Sequence, residues 1–382
     1  RRRKPWSVPG FEIDLIARYG GDEFIAVVPF HDKNDVEKIV AKIIQVLSEV
    51  FYIDSHEQFI GASIGISVSP KDSQSCDGLI QKAAIAMDNA KQRGRGKYVY
   101  FSESMQDDIR EKSSLETDLF RSIERNEISL MYQPQIDLST GQVSGVEALV
   151  RWYNAEKSAI DPEQFISYAE ENGFIIQLGK WDMQEALKQC EKWKVEHQII
   201  PRIAINVSAR QLHDESFLAD VEEIFSNFNI NGTTIEFEIT ENLFLGDDQH
   251  TLDLLSNINC MGIELAIDDF GKGYSSLRSL KKLPVQTFKI DKLFVKDIVT
   301  DSDSLAIVRA IIALGRELNK EIIVEGVETA EQLDILRGLG CHHAQGYYIG
   351  RPGSAQELTK MMNSTSQLNN ARTIMSSSIG IK

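Results

Sequence analysis

From Ile128 onward the chain alternates short apolar, β-branched runs with longer runs of helical period, and this alternation constrains the fold more than any other feature. The β-type runs are Ser129 to Ile136, Val143 to Val150, Arg202 to Val207, Thr234 to Ile239, Ile263 to Ile267, Thr287 to Ile290, Glu321 to Val324 and Ala344 to Ile349. Helical patterns at Pro162 to Glu171, Ile176 to Glu196, Phe217 to Phe228, Ser304 to Leu318 and Ala330 to Leu339 separate most of them. Alternation of this kind over about 240 residues predicts an α/β fold, a TIM-like (β/α)8 barrel. The first two runs are joined by Asp137-Leu-Ser-Thr-Gly141, too short for a crossover helix, so that pair is expected to be antiparallel.

The first third of the chain reads differently, and 382 residues are more than one core ordinarily serves. Residues 1–10 look like a ragged beginning. Phe11 to Val28 holds two β-type runs joined by Gly20-Gly21-Asp22-Glu23, a hairpin signature. A helix over Asn34 to Val50, a strand over Phe59 to Val68, a helix over Leu79 to Lys91 and a short strand over Tyr98 to Phe101 follow. Residues 103–126 are charged, free of Gly and Pro, and read as a stiff connecting helix. The barrel pattern occupies 113–362, and 363–382, rich in Ser and Asn, reads as a disordered tail.

Fifty-seven acids against 41 bases, a formal net charge of -16, argue against a nucleic-acid polymer as partner, because its phosphates would be repelled. A small phosphorylated ligand held through bound cations is compatible with that charge. No apolar run is long enough to span a membrane, and no apolar h-region follows the basic start, Arg1-Arg-Arg-Lys-Pro5. A cytoplasmic chain is expected, any membrane attachment coming through regions outside it. Cys76, Cys190, Cys260 and Cys341 lack CxxC spacing and read as reduced thiols.

The chemistry is concentrated where the β-type runs end. Leu265-Ala-Ile267 runs into two adjacent carboxylates, Asp268 and Asp269, and then into the turn residues Gly271-Lys272-Gly273. Glu147, Asn206, Glu238, Glu241, Lys289, Asp291, Glu325 and Gln345 lie at or near the ends of the other runs. A lone acid of this kind is ordinarily a surface or capping residue. A polar residue at the C-terminal end of strand after strand is what a barrel active face requires. Carboxylates with one Asn amide oxygen, and no Cys or His, form a hard oxygen set suited to Mg²⁺ or Mn²⁺. So many acids in one cleft imply two cations, which about 3.5 to 4 Å apart activate a bridging water for in-line displacement at phosphorus. His342-His343 are adjacent on a strand, point to opposite faces and are not expected to be joint ligands. Lys91 to Lys97 reads as a solvated turn.

Two motif sets carry a resemblance. Arg18-Tyr-Gly-Gly-Asp-Glu-Phe24 resembles the signature of the GGDEF domain, the diguanylate cyclase family. Residues 11–102 resemble its second half: no counterpart of the family's earlier metal-binding Asp or guanine-gripping motif precedes Phe11. Phe11 also stands where the family's product-inhibition RxxD has its Arg, although Asp14 is present. The resemblance therefore implies a regulatory, non-cyclising unit, with GTP as the ligand its Gly20–Glu23 hairpin would take.

Tyr132-Gln-Pro134, Glu147-Ala-Leu149 with Arg151, Asn206-Val-Ser208, Glu238-Ile-Thr-Glu241, Asp268-Asp-Phe-Gly271, Lys289-Ile-Asp291, Glu325-Gly-Val-Glu328 and Gln345-Gly-Tyr347 resemble the EAL domain family of cyclic-di-GMP phosphodiesterases, making a tandem GGDEF-EAL chain. The resemblance implies hydrolysis of cyclic-di-GMP to linear pGpG, two Mg²⁺ or Mn²⁺ ions and a homodimer through the EAL domain. It implies Glu147, Asn206, Glu238, Asp268, Asp269 and Glu325 as metal ligands. Catalytic roles fall to Glu147, Lys289, Glu325 and Asp269, substrate contacts to Gln133, Arg151, Gln345 and Asp291, and anchoring of the loop after Asp269 to Glu241. The family's usual loop reads DFGTGYSSL, so Lys272 departs from Thr. The rival reading is a non-catalytic cyclic-di-GMP receptor; silent relatives lose the EAL glutamate or the paired Asp, and this chain keeps both.

Overall fold

The eight long β-type runs close on themselves. In the computed structural model the strands run in the order Val143–Tyr153, Arg202–Asn206, Ile235–Thr240, Glu264–Phe270, Thr287–Ile290, Glu321–Val324, His343–Gln345 and Ile128–Asp137, and the last pairs back with the first. All are parallel except Ile128–Asp137, which is antiparallel to both neighbours. Its reversal is built by Asp137, whose Oδ1 accepts the N–H groups of Ser139 (2.8 Å) and Thr140 (2.7 Å), and by Gly141 at φ 70°. A short strand, Ala159–Ile160, pairs antiparallel with the end of Val143–Tyr153. The structure describes residues 7–8, 11–12, 15–53, 56–94, 96–154, 158–197, 201–230, 234–241, 243, 249–272 and 283–363. Asp14, Gly273 and 364–382 lie outside them.

Period-two alternation sorts each barrel strand into two faces. Ile203, Ile205, Phe237, Ile239, Leu265, Ile267, Phe288, Ile290, Ile322 and Val324 belong to one hydrophobic core with Leu187, Trp193, Val221, Leu255 and Ile312 from the helices. The alternate positions face the barrel interior, and they carry Asn206, Glu236, Glu238, Asp268, Thr287 and Lys289 beside the apolar Ala204, Ala266 and Ile323. The apolar core is thus the ring between sheet and helices, and the interior is free to carry charge.

The chain divides into two compact units, Arg1–Leu115 and Glu116–Lys382. The helix Glu103–Ser122 crosses that boundary, shorter than the expected 103–126 because residues 123–126 form a turn ending at Asn126, φ 55°. In the first unit Leu15–Gly20 and Glu23–Val27 form the expected hairpin, with Gly21 at φ 52°. Ile64–Ile66 pairs parallel with Tyr98–Tyr100, and Gly65 lies so close to the helix Cys76–Gln92 that any side chain would strike the backbone of Ala83 and Met87. The strand expected over Phe59 to Val68 is only Ile64–Ile66, and an unexpected hairpin, Phe51–Ile53 with His56–Gln58, precedes it.

Two end positions also differ from expectation. The last barrel strand stops at Gln345, not Ile349, because Gly346 packs on the backbone of Val327 and the chain turns there, Tyr348 N–H donating to the Val327 carbonyl at 3.0 Å. Asn363, expected at the start of a tail, is still helical, and Met362 is buried in the core. Among the described residues no helix is long and apolar enough to cross a membrane.

Candidate active site

The interior-facing polar residues at the strand ends converge on one ammonium group. Lys289 is fully buried, and its Nζ lies 2.7 Å from Glu238, 2.7 Å from Glu325, 3.4 Å from Asp268 and 3.7 Å from Glu147. Each carboxylate arrives from a different strand. Glu147 sits opposite Gln133 and Ala204, Asn206 pairs in register with Glu238, and Thr240 pairs with Asp268. The 2.7 Å contact between Lys289 and Glu238 is an ion contact lacking hydrogen-bond alignment, so both Glu238 carboxylate oxygens stay buried without a hydrogen-bond partner.

Adjacent strand residues ordinarily face opposite ways, yet Asp268 and Asp269 both serve this end of the barrel. The register against Thr287–Ile290 slips between Ile267 and Phe270, and Asp269 adopts φ 57°. This local bulge, with a non-glycine residue in the left-handed region, stores strain where two carboxylates are needed side by side. Asp268 Oδ1 accepts the Asp269 N–H at 2.9 Å, and Glu241 Oε2 accepts the Gly271 N–H at 2.9 Å, fixing the chain just beyond the bulge.

Glu147 is oriented by amides. Asn206 donates to its Oε1 at 2.8 Å and Gln345 to its Oε2 at 2.5 Å, while Gln345 also donates to Gln133 Oε1 and accepts from Gln135. Gln133 in turn donates to the Gly350 carbonyl. Burial alone would raise the Glu147 carboxyl, but the Lys289 charge and the Gln345 and Asn206 hydrogen bonds outweigh it and hold Glu147 below its ordinary value. Burial pushes Glu238 well up, the neighbouring Glu147 and Asp268 add to that, and Lys289 offsets only part. Glu325 is raised for the same reasons, to about 8. Burial opposes charge on Lys289, but the carboxylates around it outweigh this and hold it protonated well above the usual lysine range. Four carboxylates facing one ammonium cannot all stay ionised without further positive charge.

That deficit, the oxygen-only donor set and the unpartnered Glu238 oxygens fit hard divalent cations. Among the described residues no three Asp, Glu, His or Cys side chains stand ready to hold an ion as they are placed; Lys289 holds the middle.

Two residues expected to contact substrate, Arg151 and Asp291, have protein partners of their own. Arg151 lies four residues beyond Glu147 and donates to the Val150 carbonyl at 2.8 Å; no ion pair to the cluster is among its described contacts. Asp291 caps the helix Lys292–Val295 through the Leu293 N–H and binds Lys272 through its other oxygen, 2.8 Å away. His342 accepts from the Ile322 N–H, and His343 contacts Ser144 and Glu321, so neither enters the cluster. The sequence reading missed Gln135 and the layer beneath, where Arg202 lies within 3.4 Å of Glu236, Glu264 and Glu321 and Thr287 donates to Glu236. The available signal was spacing: Gln135 and Glu236 are two residues from Gln133 and Glu238 and share their face.

The EAL domain family matches residues 116–352. The chain belongs to the EAL domain family. Residues 11–97 match the diguanylate cyclase GGDEF domain, so the two domains stand in tandem. Among curated proteins, this EAL chain is 39% identical over 345 residues to the bifunctional diguanylate cyclase/cyclic di-GMP phosphodiesterase MucR of Pseudomonas aeruginosa, covering 90% of this chain and 50% of MucR. It is 35% identical over 338 residues to the cyclic di-GMP phosphodiesterase PdeR of Escherichia coli, covering 88% of this chain and 51% of PdeR. The chain thus spans about half the length of these relatives. Among solved structures, the PaMucR phosphodiesterase in complex with c-di-GMP matches with TM-score 0.62 and 40% identity, covering 64% of this chain and 99% of that one. The EAL domain of FimX from Pseudomonas aeruginosa bound to c-di-GMP matches with TM-score 0.58 and 26% identity, covering 63% and 96%.

Proposed function

We propose that the EAL unit is a metal-dependent phosphodiesterase that hydrolyses cyclic-di-GMP to linear pGpG. The observation that carries this reading is the fully buried Lys289 ringed by Glu147, Glu238, Asp268 and Glu325 at the C-terminal ends of barrel strands. MucR and PdeR, named as cyclic di-GMP phosphodiesterases, support the substrate.

Glu147, Asn206, Glu238, Asp268, Asp269 and Glu325 would hold two Mg²⁺ or Mn²⁺ ions. When bound, such ions supply an activated water and neutralise charge on the phosphodiester. In the hydrolysis an oxygen–phosphorus bond forms from water, the bond from phosphorus to the 3′ oxygen breaks, and that oxygen takes a proton. Lys289, held protonated, stabilises negative charge as it develops. Glu325, 2.7 Å from Lys289, belongs to the same ligand set and helps keep that ammonium in place. Asn206 and Gln345 keep both Glu147 oxygens aimed. Gln133 lines the site beside Gln345, and Arg151 would reach the substrate phosphate only on leaving the Val150 carbonyl. A homodimer through the EAL unit and a cytoplasmic location, where a nucleotide substrate is found, belong to the same reading.

For the GGDEF unit the reading is regulatory. Its Gly20–Glu23 turn is exposed, and the Arg18 guanidinium donates to the Gly21 carbonyl at 2.9 and 2.7 Å, which directs that cation at the hairpin itself and away from a phosphate.

The test is turnover. Purified chain with Mn²⁺ and cyclic-di-GMP is expected to yield pGpG, Glu147→Ala to lose at least about a hundredfold in rate, and GTP to yield no cyclic product. Binding without linear product would establish the receptor reading instead.

A further inference from the structure

A second ammonium stands at the outer edge of the acidic cluster. Lys272 Nζ lies 2.8 Å from Asp269 Oδ1, as an aligned hydrogen bond, and 2.8 Å from Asp291 Oδ2. The two acids it joins come from the ends of different strands, Glu264–Phe270 and Thr287–Ile290. Both are held in place. Asp291 is buried and fixed through the Leu293 N–H at 2.8 Å, and Asp269 is set by its left-handed backbone and by the Lys272 N–H on its carbonyl at 3.2 Å. Lys272 itself is 38% exposed, so it bridges two positioned carboxylates from the solvent side.

We propose that Lys272 is an internal counter-cation for Asp269 and Asp291 that competes with the outer divalent ion and withdraws when that ion loads. The proposal rests on the two-ion reading above. An ammonium at hydrogen-bond distance takes the same carboxylate oxygen that a cation needs, so the two occupy it in turn. Once a dication is bound, it repels a neighbouring ammonium, and Lys272, on a flexible stem open to water, leaves at small cost. In the metal-free chain the same ammonium keeps Asp269 from facing Asp291 uncompensated. Lys289 cannot take that part: it is fully buried, and its contacts are to Glu147, Glu238, Asp268 and Glu325. The site therefore holds an inner ammonium that stays and an outer one that exchanges.

The experiment is Mn²⁺ binding to the whole 382-residue chain without substrate, read from the spin-resonance signal of free Mn²⁺, for the wild type, Lys272→Met and Lys272→Arg. The weaker Mn²⁺ site is expected to tighten about three- to tenfold in Lys272→Met and to stay near wild type in Lys272→Arg, with the tighter site unchanged in both. The Mn²⁺-induced rise in melting temperature, measured from chelated protein, is expected to be larger in Lys272→Met than in the wild type. Equal or weaker binding at the weaker site of Lys272→Met overturns this proposal and leaves the two-ion reading standing. A wild-type chain that binds fewer than two ions overturns both.

Discussion

Asp268 and Asp269 are neighbours in sequence, yet one meets the inner ammonium of Lys289 and the other the outer ammonium of Lys272. A single bulged residue at φ 57° makes that division. The acids themselves were legible because residue type and position coincide: a carboxylate ending an apolar run is costly unless something uses it. Their partners were not, since which amide or ammonium reaches which oxygen depends on distances across the barrel. Asp182 was invisible for the same reason. It lies in the helix Phe174–His197, buried, with Oδ1 unpartnered, and burial pushes its carboxyl up to about 8. With the folded pKa above the unfolded one, the native chain keeps a proton that the unfolded chain releases from about pH 4 upward, so stability is lost as pH rises towards about 8. Asp182→Asn is expected to flatten this dependence by as much as one proton, about 1.4 kcal/mol per pH unit between about pH 5 and about pH 7. Denaturant titrations at several pH values measure it, and identical slopes in the two proteins would refute the assignment.

At the scale of elements, the strands were readable from their apolar alternation, and the antiparallel Ile128–Asp137 from a connection too short for a helix. Their ends were less readable. The run from Ala344 to Ile349 looks like one strand, but Gly346 must sit against Val327, and the ladder stops at Gln345. Glu241 shows how ends are joined: from beyond Ile235–Thr240 it holds the Gly271 N–H beyond Glu264–Phe270. Glu241→Ala is expected to cost about 1.5 to 3 kcal/mol of stability, the range for a hydrogen bond to a charged group, and to lower phosphodiesterase turnover about tenfold or more. Turnover equal to wild type would show that the bulge holds without the anchor.

At the scale of the molecule, the two compact units make a simple expectation. A chain cut to residues 103–382, keeping the helix Glu103–Ser122 whole, is expected to melt cooperatively and to retain hydrolysis, because the compact unit Glu116–Lys382 and the EAL family match at 116–352 both lie within it. A fragment with no cooperative transition in circular dichroism would show instead that the first unit is required for folding. The barrel, its antiparallel member, the division into two domains and the acids crowding the strand ends are all written locally in the chain, because period, polarity and connection length are local properties. That the barrel interior is charged in two layers, one around Lys289 and one around Arg202, emerges only when the strands close. Closure of the sheet likewise joins Lys272 to Asp269 and Asp291 and makes Asp291 a helix cap. Those outcomes depend on strand register around a closed sheet, where residues far apart in the chain meet, and no local pattern encodes that meeting.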